Sequence, residues 1–428
     1  MPERSNGLAW KASIWETVSW VRIPLPPPVR KCLIPERNCY VSYLIIVKPI
    51  SQIKKQLLGE IESLKDERGL INAGFPHYGH FFGRDSIIVS WQLLNVKPDI
   101  CRKNLEILAK LQGKKNNRYL EKEPGKIVHE TDFKFKFHPK IKGFFFPYYG
   151  SVDSTPLYLI LFYLYFKKTR DKKFLRKYSK NILLAINWMK KYGDSDRDLF
   201  LEYQKRSLRG LFHQGWKDGF KNHLKISPPV AIVEAQGYQY LALKRGAKLA
   251  KILRKSNISR ELLKRANNLK KVFNKKFWMP GKEYFALALD GKKNQKKTIT
   301  SNPGHLLFTG IVEKSKSKFI IKKLFGPDFW TPFGIRSHSQ KELDFNPLSY
   351  HKGSVWPHDN WIIAQGLKKL GYKKEYQKIK NAILKAYLEF GYLPELYGVV
   401  NNKIVKISRA CHPQAWASGA LLNFLSSG

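Results

Sequence analysis

Fourteen residues, Asn346-Pro-Leu-Ser-Tyr-His-Lys-Gly-Ser-Val-Trp-Pro-His-Asp359, gather Tyr350, His351, Trp356, His358 and Asp359 around two prolines and Gly353. Flat apolar rings beside imidazoles and a carboxylate suit a sugar, which offers apolar C–H faces and a rim of hydroxyls. Pro357 fits the first turn of a following helix, which would set the polar group at a helix N-terminus facing a cleft. Taken alone, the stretch serves equally as a loop whose Trp and His plug the core.

Other loops repeat the theme. His80-Phe-Phe-Gly-Arg-Asp85 sets Arg84 and Asp85 beside two rings, where bidentate hydrogen bonds can grip vicinal hydroxyls; Asp85 also fits a helix cap. Glu123-Pro-Gly-Lys-Ile-Val-His-Glu130 and Tyr148-Tyr-Gly-Ser-Val-Asp-Ser-Thr155 again combine carboxylates, rings and glycine, with Asp153 or Ser154 as an alternative cap. In Gln214-Gly-Trp-Lys-Asp218 a carboxyl follows an indole, whose desolvation raises a carboxyl pKa and suits a general acid. An inward Lys217 would oppose that rise, and Gly219 leaves an Asx-turn as the alternative. Glu234 lies on an apolar helix stripe, where it either meets substrate or braces a residue that does. Tyr392-Leu-Pro-Glu-Leu-Tyr-Gly398 presents Glu395, the expected partner of Asp218, because glycoside hydrolysis needs one protonated and one ionised carboxyl. Cys411-His-Pro-Gln-Ala-Trp416 supplies a further wall. His351, His358 and His412 have no metal-ligand spacing, so no metal and no cofactor are expected.

The elements that must position these loops are helices. Apolar residues recur at three- and four-residue steps in about a dozen segments between Ile53 and Leu425, among them Thr155–Phe166, Lys173–Tyr192, Val230–Leu249 and Trp356–Leu370. Strand signals are confined to Val128, Tyr284–Leu289 and Val399–Val405. The fold class is all-α: paired helices with functional loops at one end predict an (α/α)6 toroid, and no fixed period supports a solenoid.

Residues 1–50 differ from the rest, with a run Pro24-Leu-Pro-Pro-Pro28 and no amphipathic period. Trp20-Val-Arg-Ile-Pro24 matches the translation of a transfer-RNA T-arm. We expect a non-native extension, disordered or arising from a misassigned start, with initiation at a GTG or TTG codon such as Val41, Val47 or Leu57, and a single catalytic domain over residues 51–428. The net charge of +45 points toward nucleic acid or anionic membranes, but the lysines are dispersed and no nucleic-acid-binding motif accompanies them. No specific nucleic-acid partner is expected. No apolar run reaches membrane-spanning length and no secretory leader is evident, so no membrane partner and a cytoplasmic location are expected. The four cysteines lack paired zinc spacing and read as free thiols. Nothing speaks to oligomeric state.

Together these motifs resemble the glucosidase domain of the glycogen debranching enzyme family, of amylo-α-1,6-glucosidase type. The chain is similar, more remotely, to inverting (α/α)6 glycosidases such as mannosylglycerate hydrolase and glucoamylase. The resemblance runs in order from Phe82–Asp85 through Glu123–Ile127, Tyr148–Pro156, Gln214–Asp218, Val233–Tyr238, Ser301–His305, the 346–359 stretch and Leu393–Leu396 to Pro413–Trp416. It implies a six-hairpin glycosidase with Asp218 as general acid and Glu395 as general base. Arg84, Asp85, Trp216, Glu234, His351, Trp356 and Asp359 would line the sugar pocket, with Lys217 among the substrate-binding residues. Inversion implies carboxyls roughly 6.5–9.5 Å apart, leaving room for a water. The expected substrate is an α-glucan or oligosaccharide cleaved at an α-glucosidic, α-1,6 branch bond. The alternatives are a small, anionic glycoside such as mannosylglycerate, or a non-catalytic carbohydrate- or polyanion-binding remnant.

Overall fold

The computed structural model describes residues 49–426, so all but the end of the segment expected to be an extension lies outside the described residues. The described chain forms helices α1 (Ile50–Ser63), α2 (Gly83–Leu93), α3 (Pro98–Leu111), α4 (Ser154–Thr169), α5 (Lys172–Lys177), α6 (Ser179–Lys191) and α7 (Val233–Ile252). It continues through α8 (Ser256–Lys276), α9 (Leu306–Thr309), α10 (Lys314–Leu324), α11 (Pro357–Leu370), α12 (Lys373–Phe390) and α13 (Ala415–Ser426).

Composition sorts these helices into two rings. α2, α4, α11 and α13 are buried almost throughout, and α7 over most of its length. A helix apolar or small on every side must sit inside. With α9 they pack in the order α2, α4, α7, α9, α11, α13, and α13 closes back on α2. The others bury a single stripe, as α8 does with Leu262, Ala266, Leu269 and Phe273, and lie outside. α3 backs α2, α6 backs α4, α8 backs α7, α12 backs α11 and α1 backs α13, while α10 leans on the turn Asn302–His305 that leads into α9. The result is the expected (α/α)6 toroid. Trp361 knots its centre, meeting Trp91 at 4.9 Å and donating its indole N–H to Asn423 at 3.0 Å.

Two expectations are revised. The helix predicted over Lys173–Tyr192 breaks at Tyr178, which leaves helical geometry at φ −101°, ψ 15° and divides α5 from α6. Strand structure is more frequent than expected but comes in short antiparallel ladders. Tyr284–Leu289 splits into two pieces pairing with different partners. Val399–Val405 folds as a hairpin over Asn401 and Asn402, both at positive φ (48° and 58°), as a tight two-residue turn requires.

One ladder, Phe81–Phe82 against Glu130–Thr131, delivers the chain into α2. There Gly83 passes so close to the neighbouring loop that an added Cβ would stand 2.0 Å from the Val128 carbonyl oxygen. At Gly419 a Cβ would instead meet the Gln92 side-chain oxygen, at 2.3 Å. Backbone cannot yield as a side chain can, so Gly83→Ala should lose about 2 kcal/mol or more of stability. Gly419→Ala should lose less; urea denaturation of the two variants checks the order.

Candidate active site

The first turns of the inner helices meet at one end of the toroid. Arg84 and Asp85 open α2, Ser154 opens α4, Glu234 opens α7, His305 precedes α9, His358 and Asp359 open α11, and Gln414 precedes α13. Helix N-termini carry unpaired N–H groups and partial positive charge, so polar and anionic side chains are stabilised there. A narrow cleft opens at this end. Its walls are Tyr78, Phe82, Trp216, Tyr350, Trp356 and Trp416, and its polar groups come from Arg84, Asp85, Asp218, His351, Glu395 and Gln414.

Arg84 holds the acidic side together. Its Nε meets both oxygens of buried Asp153 at 3.0 and 2.9 Å, and Nη1 donates to Asp218 Oδ2 at 2.9 Å. Its Nη2 donates to the Gly215 carbonyl at 2.9 Å. Asp218 keeps 31% of its side chain open, the most accessible carboxylate of this group. Burial of its surroundings lifts it to about 6, against the Arg84 charge and hydrogen bond. Asp85, deeper in the wall, is pushed up to about 8 by burial, again opposed by Arg84. The rise favours the protonated form, which can donate a hydrogen bond into the cleft.

Glu395 is held from the other direction. Tyr350 donates its hydroxyl to Oε1 at 2.6 Å, and the Cys411 backbone N–H donates to Oε2 at 3.0 Å. Tyr78 stands 3.2 Å from the Tyr350 hydroxyl and extends the chain. Burial raises Glu395 to about 7; the Tyr350, Cys411 and Gln414 hydrogen bonds restrain the rise and the Asp218 charge adds to it. Asp218 and Glu395 thus face one cleft with separate supports.

The aromatic walls form one packed group. Trp356 meets Trp216 at 5.7 Å and stacks with His351 at 5.6 Å. Trp416 stacks on His358 at 3.7 Å. Of the ten residues singled out for site roles, seven border the cleft: Arg84, Asp85, Trp216, Asp218, His351, Trp356 and Glu395. Lys217, Glu234 and Asp359 lie behind this lining, which for Glu234 accords with the bracing alternative. Lys217 turns away from Asp218 and donates to the Ser337 carbonyl at 2.6 Å. Glu234 is fully buried behind Gly215, with its Oε1 3.1 Å from where a Cβ on that glycine would lie. Asp359 accepts from His305 at 2.7 Å; His305 in turn pairs with Tyr238 at 2.6 Å and stacks beneath Trp216.

Tyr78, Phe82 and Gln414 had drawn no site assignment, and Tyr350 was noted only within its stretch. Phe82 lies within the His80–Asp85 motif and Gln414 within Cys411–Trp416, while Tyr78 stands two residues before the first of these, the one available signal for it. Away from the cleft, Asp194, Asp196 and Asp198 bring carboxylate oxygens within 4.8 Å of one another. Lys293 pairs with Asp196 and Asp198 at 2.7 Å each, and Arg265 with Asp194, so internal cations already neutralise this group. Cys101 and Cys411 are free and buried. No helix of the described residues is long and apolar enough to cross a membrane.

Comparison with known proteins now gives these features a context. The toroid aligns with the crystal structure of GH63 mannosylglycerate hydrolase from Thermus thermophilus, in complex with Tris, at TM-score 0.67 and 13% identity. The alignment covers 87% of this chain and 99% of that one. The glucose complex of the same enzyme aligns at 0.66 and 14% over the same shares. Mannosylglycerate hydrolase of Rubrobacter radiotolerans is 24% identical over 133 residues, 30% of each chain. Mannosylglycerate hydrolase MGH1 of Selaginella moellendorffii is 30% identical over 74 residues, 17% of this chain and 15% of the relative. The matched segments thus span under a third of these two relatives. Residues 179–398, just over half of the chain, match the mannosylglycerate hydrolase MGH1-like glycoside hydrolase domain. The protein is a glycoside hydrolase on a six-hairpin frame. It belongs to the MGH1-like glycoside hydrolase family; the debranching-enzyme branch expected from the motifs finds no support, although the wider kinship does.

The carboxyl environments set the expected pH dependence. Hydrolysis by an acid–base pair needs a proton on one carboxyl and none on the other, and interacting carboxyls titrate as a unit. With values of about 6 and about 7, kcat/KM should be bell-shaped and peak between them, falling at lower pH as the pair takes up a second proton and at higher pH as it loses both. A flat profile through that range would refute the assignment. Tyr350→Phe removes a donor that favours ionised Glu395, so kcat/KM should fall and the alkaline limb, set by the higher of the two values, should move to higher pH.

Proposed function

We propose that the enzyme hydrolyses, with inversion, a small anionic glycoside of the mannosylglycerate kind. The carrying observation is that Asp218 and Glu395, both raised toward neutrality, border one small aromatic cleft while anchored by different partners. The family match favours the same class, and a net charge of +45 raises the local concentration of an anionic substrate.

In this reading Trp216, Trp356 and Trp416 offer ring faces to the sugar, and protonated Asp85 and Arg84 border its hydroxyls. Asp218 gives its proton to the glycosidic oxygen as the bond to the anomeric carbon breaks. Glu395 takes a proton from a water whose oxygen bonds to that carbon from the opposite face. The released sugar carries the inverted anomeric configuration, and the aglycone leaves as an alcohol. Arg84 then faces the carboxylate left on Asp218.

The test is hydrolysis of mannosylglycerate and glucosylglycerate beside isomaltose and a limit dextrin, with the anomer followed by proton NMR in the first minutes. Cleavage of a glycerate glycoside with inversion is expected. Retention would overturn the mechanism, and release from the dextrin alone would overturn the substrate class. Asp218→Asn and Glu395→Gln should each lose roughly a hundredfold to ten-thousandfold in kcat with the circular dichroism of the fold intact.

A further inference from the structure

Five phenylalanines are exposed among the described residues: Phe75, Phe135, Phe137, Phe145 and Phe220, from 41% to 58%. Phe137 and Phe145 pair, Phe220 lies against the same loop through Phe144, and Phe75 and Phe135 line one surface pocket nearby in the chain. The segment between Phe133 and Pro147 reads Phe-Lys-Phe-Lys-Phe-His-Pro-Lys-Ile-Lys-Gly-Phe-Phe-Phe-Pro, with four lysines and no acid. It doubles back on itself, Phe137 bridging to Phe145 with rings 5.0 Å apart. Phe144 and Phe146 turn inward and pack with Tyr148 and Leu211 in a small apolar cluster of their own. That cluster fastens the segment to the body, so the outward rings are not needed to hold it. A line of ring contacts joins it to the cleft: Phe146 meets His80 at 5.1 Å, and His80 stacks at 4.5 Å on Phe82, a cleft wall. Phe220, two residues beyond Asp218, meets Phe144 at 6.1 Å.

Exposed Lys136, Lys140, Lys142, Arg209 and Lys221 surround these rings, and Leu208 stands 91% exposed beside Arg209. Such grouping of exposed apolar surface marks an interaction site. A sugar subsite calls for carboxylates or amides to take up hydroxyls; residues 133–147 contain none, and the acids nearby lie at one end beside Phe75 and Phe135, where Glu67 is already paired with Lys134. A second copy of a chain with charge +45 meets electrostatic repulsion. Rings that enter an apolar layer, framed by ammonium groups that meet phosphate, fit an anionic lipid surface. We propose that the Phe133–Pro147 segment, with Phe220 and Leu208, docks peripherally on an anionic lipid surface and holds the cleft mouth beside it. With no membrane-crossing helix among the described residues, the contact is interfacial.

The experiment is co-sedimentation of the full chain with phosphatidylcholine vesicles, with and without phosphatidylserine. So basic a protein adsorbs to any anionic surface, and the decisive variant therefore leaves charge untouched: Phe137→Ser combined with Phe145→Ser. Wild type should bind the mixed vesicles and not the neutral ones. The variant should bind the mixed vesicles roughly tenfold or more weakly, since two ring insertions are lost, with hydrolysis of a soluble glycoside unchanged. Equal binding by variant and wild type would overturn the proposal in favour of charge alone. A variant that instead loses activity on soluble oligosaccharides, single-stranded oligonucleotide binding or self-association, with vesicle binding intact, would also overturn it.

Discussion

A buried guanidinium is the contact on which this site depends. Arg84 is 2% exposed, and removing its charge from water is costly unless every donor finds a partner. The partners come from three places in the chain: Asp153 at the mouth of α4, Asp218 in the loop that follows Tyr203, and the carbonyl of Gly215. The planar fork of arginine meets Asp153 with both oxygens and still reaches Asp218, which a lysine cannot do. One residue thus joins two inner helices to the loop bearing the proposed acid. The same charge opposes the rise that burial imposes on Asp218 and Asp85, so the electrostatics of the acidic side and its geometry have one source.

The toroid supplies the setting in which that arrangement is stable. Six helices buried on nearly all sides have their N-termini at one end, where unpaired backbone donors favour carboxylates and imidazoles. Away from that end the interior is mostly hydrocarbon and ring, with a few bonded polar side chains such as Gln92 and Asn104. Ionisable groups placed between the two environments are desolvated without being isolated, and their pKa values move toward neutrality. Glu395 shows the balance: burial pushes it up, while one tyrosine hydroxyl, one backbone amide and Gln414 restrain it.

Much of this was legible in the chain. The helical period announced the paired helices, and the polar-aromatic loops fell where inner helices begin. Asp218 and Glu395, far apart in sequence, were paired through their chemistry and the order of the motifs. Direction was harder to read. Each residue in a first helical turn is rotated by about 100° from the last, so Asp85 and Glu234 are alike in sequence context while one meets the cleft and the other lies behind Gly215. Lys217 adjoins both Trp216 and Asp218, yet its ammonium finds the Ser337 carbonyl, a partner 120 residues away. Two-residue ladders such as Phe81–Phe82 are too short to carry a strand pattern.

The residues behind the cleft form a second tier with its own logic. Tyr238, His305 and Asp359 make a buried hydrogen-bonded row, and the imidazole at its centre lies against Trp216. Glu234 fills the space that Gly215 leaves open. These groups brace from behind the loop that carries Trp216 and Asp218. Tyr78 and Tyr350 stand in front of this tier in the cleft wall itself, where Tyr350 packs on Trp356 and holds Glu395.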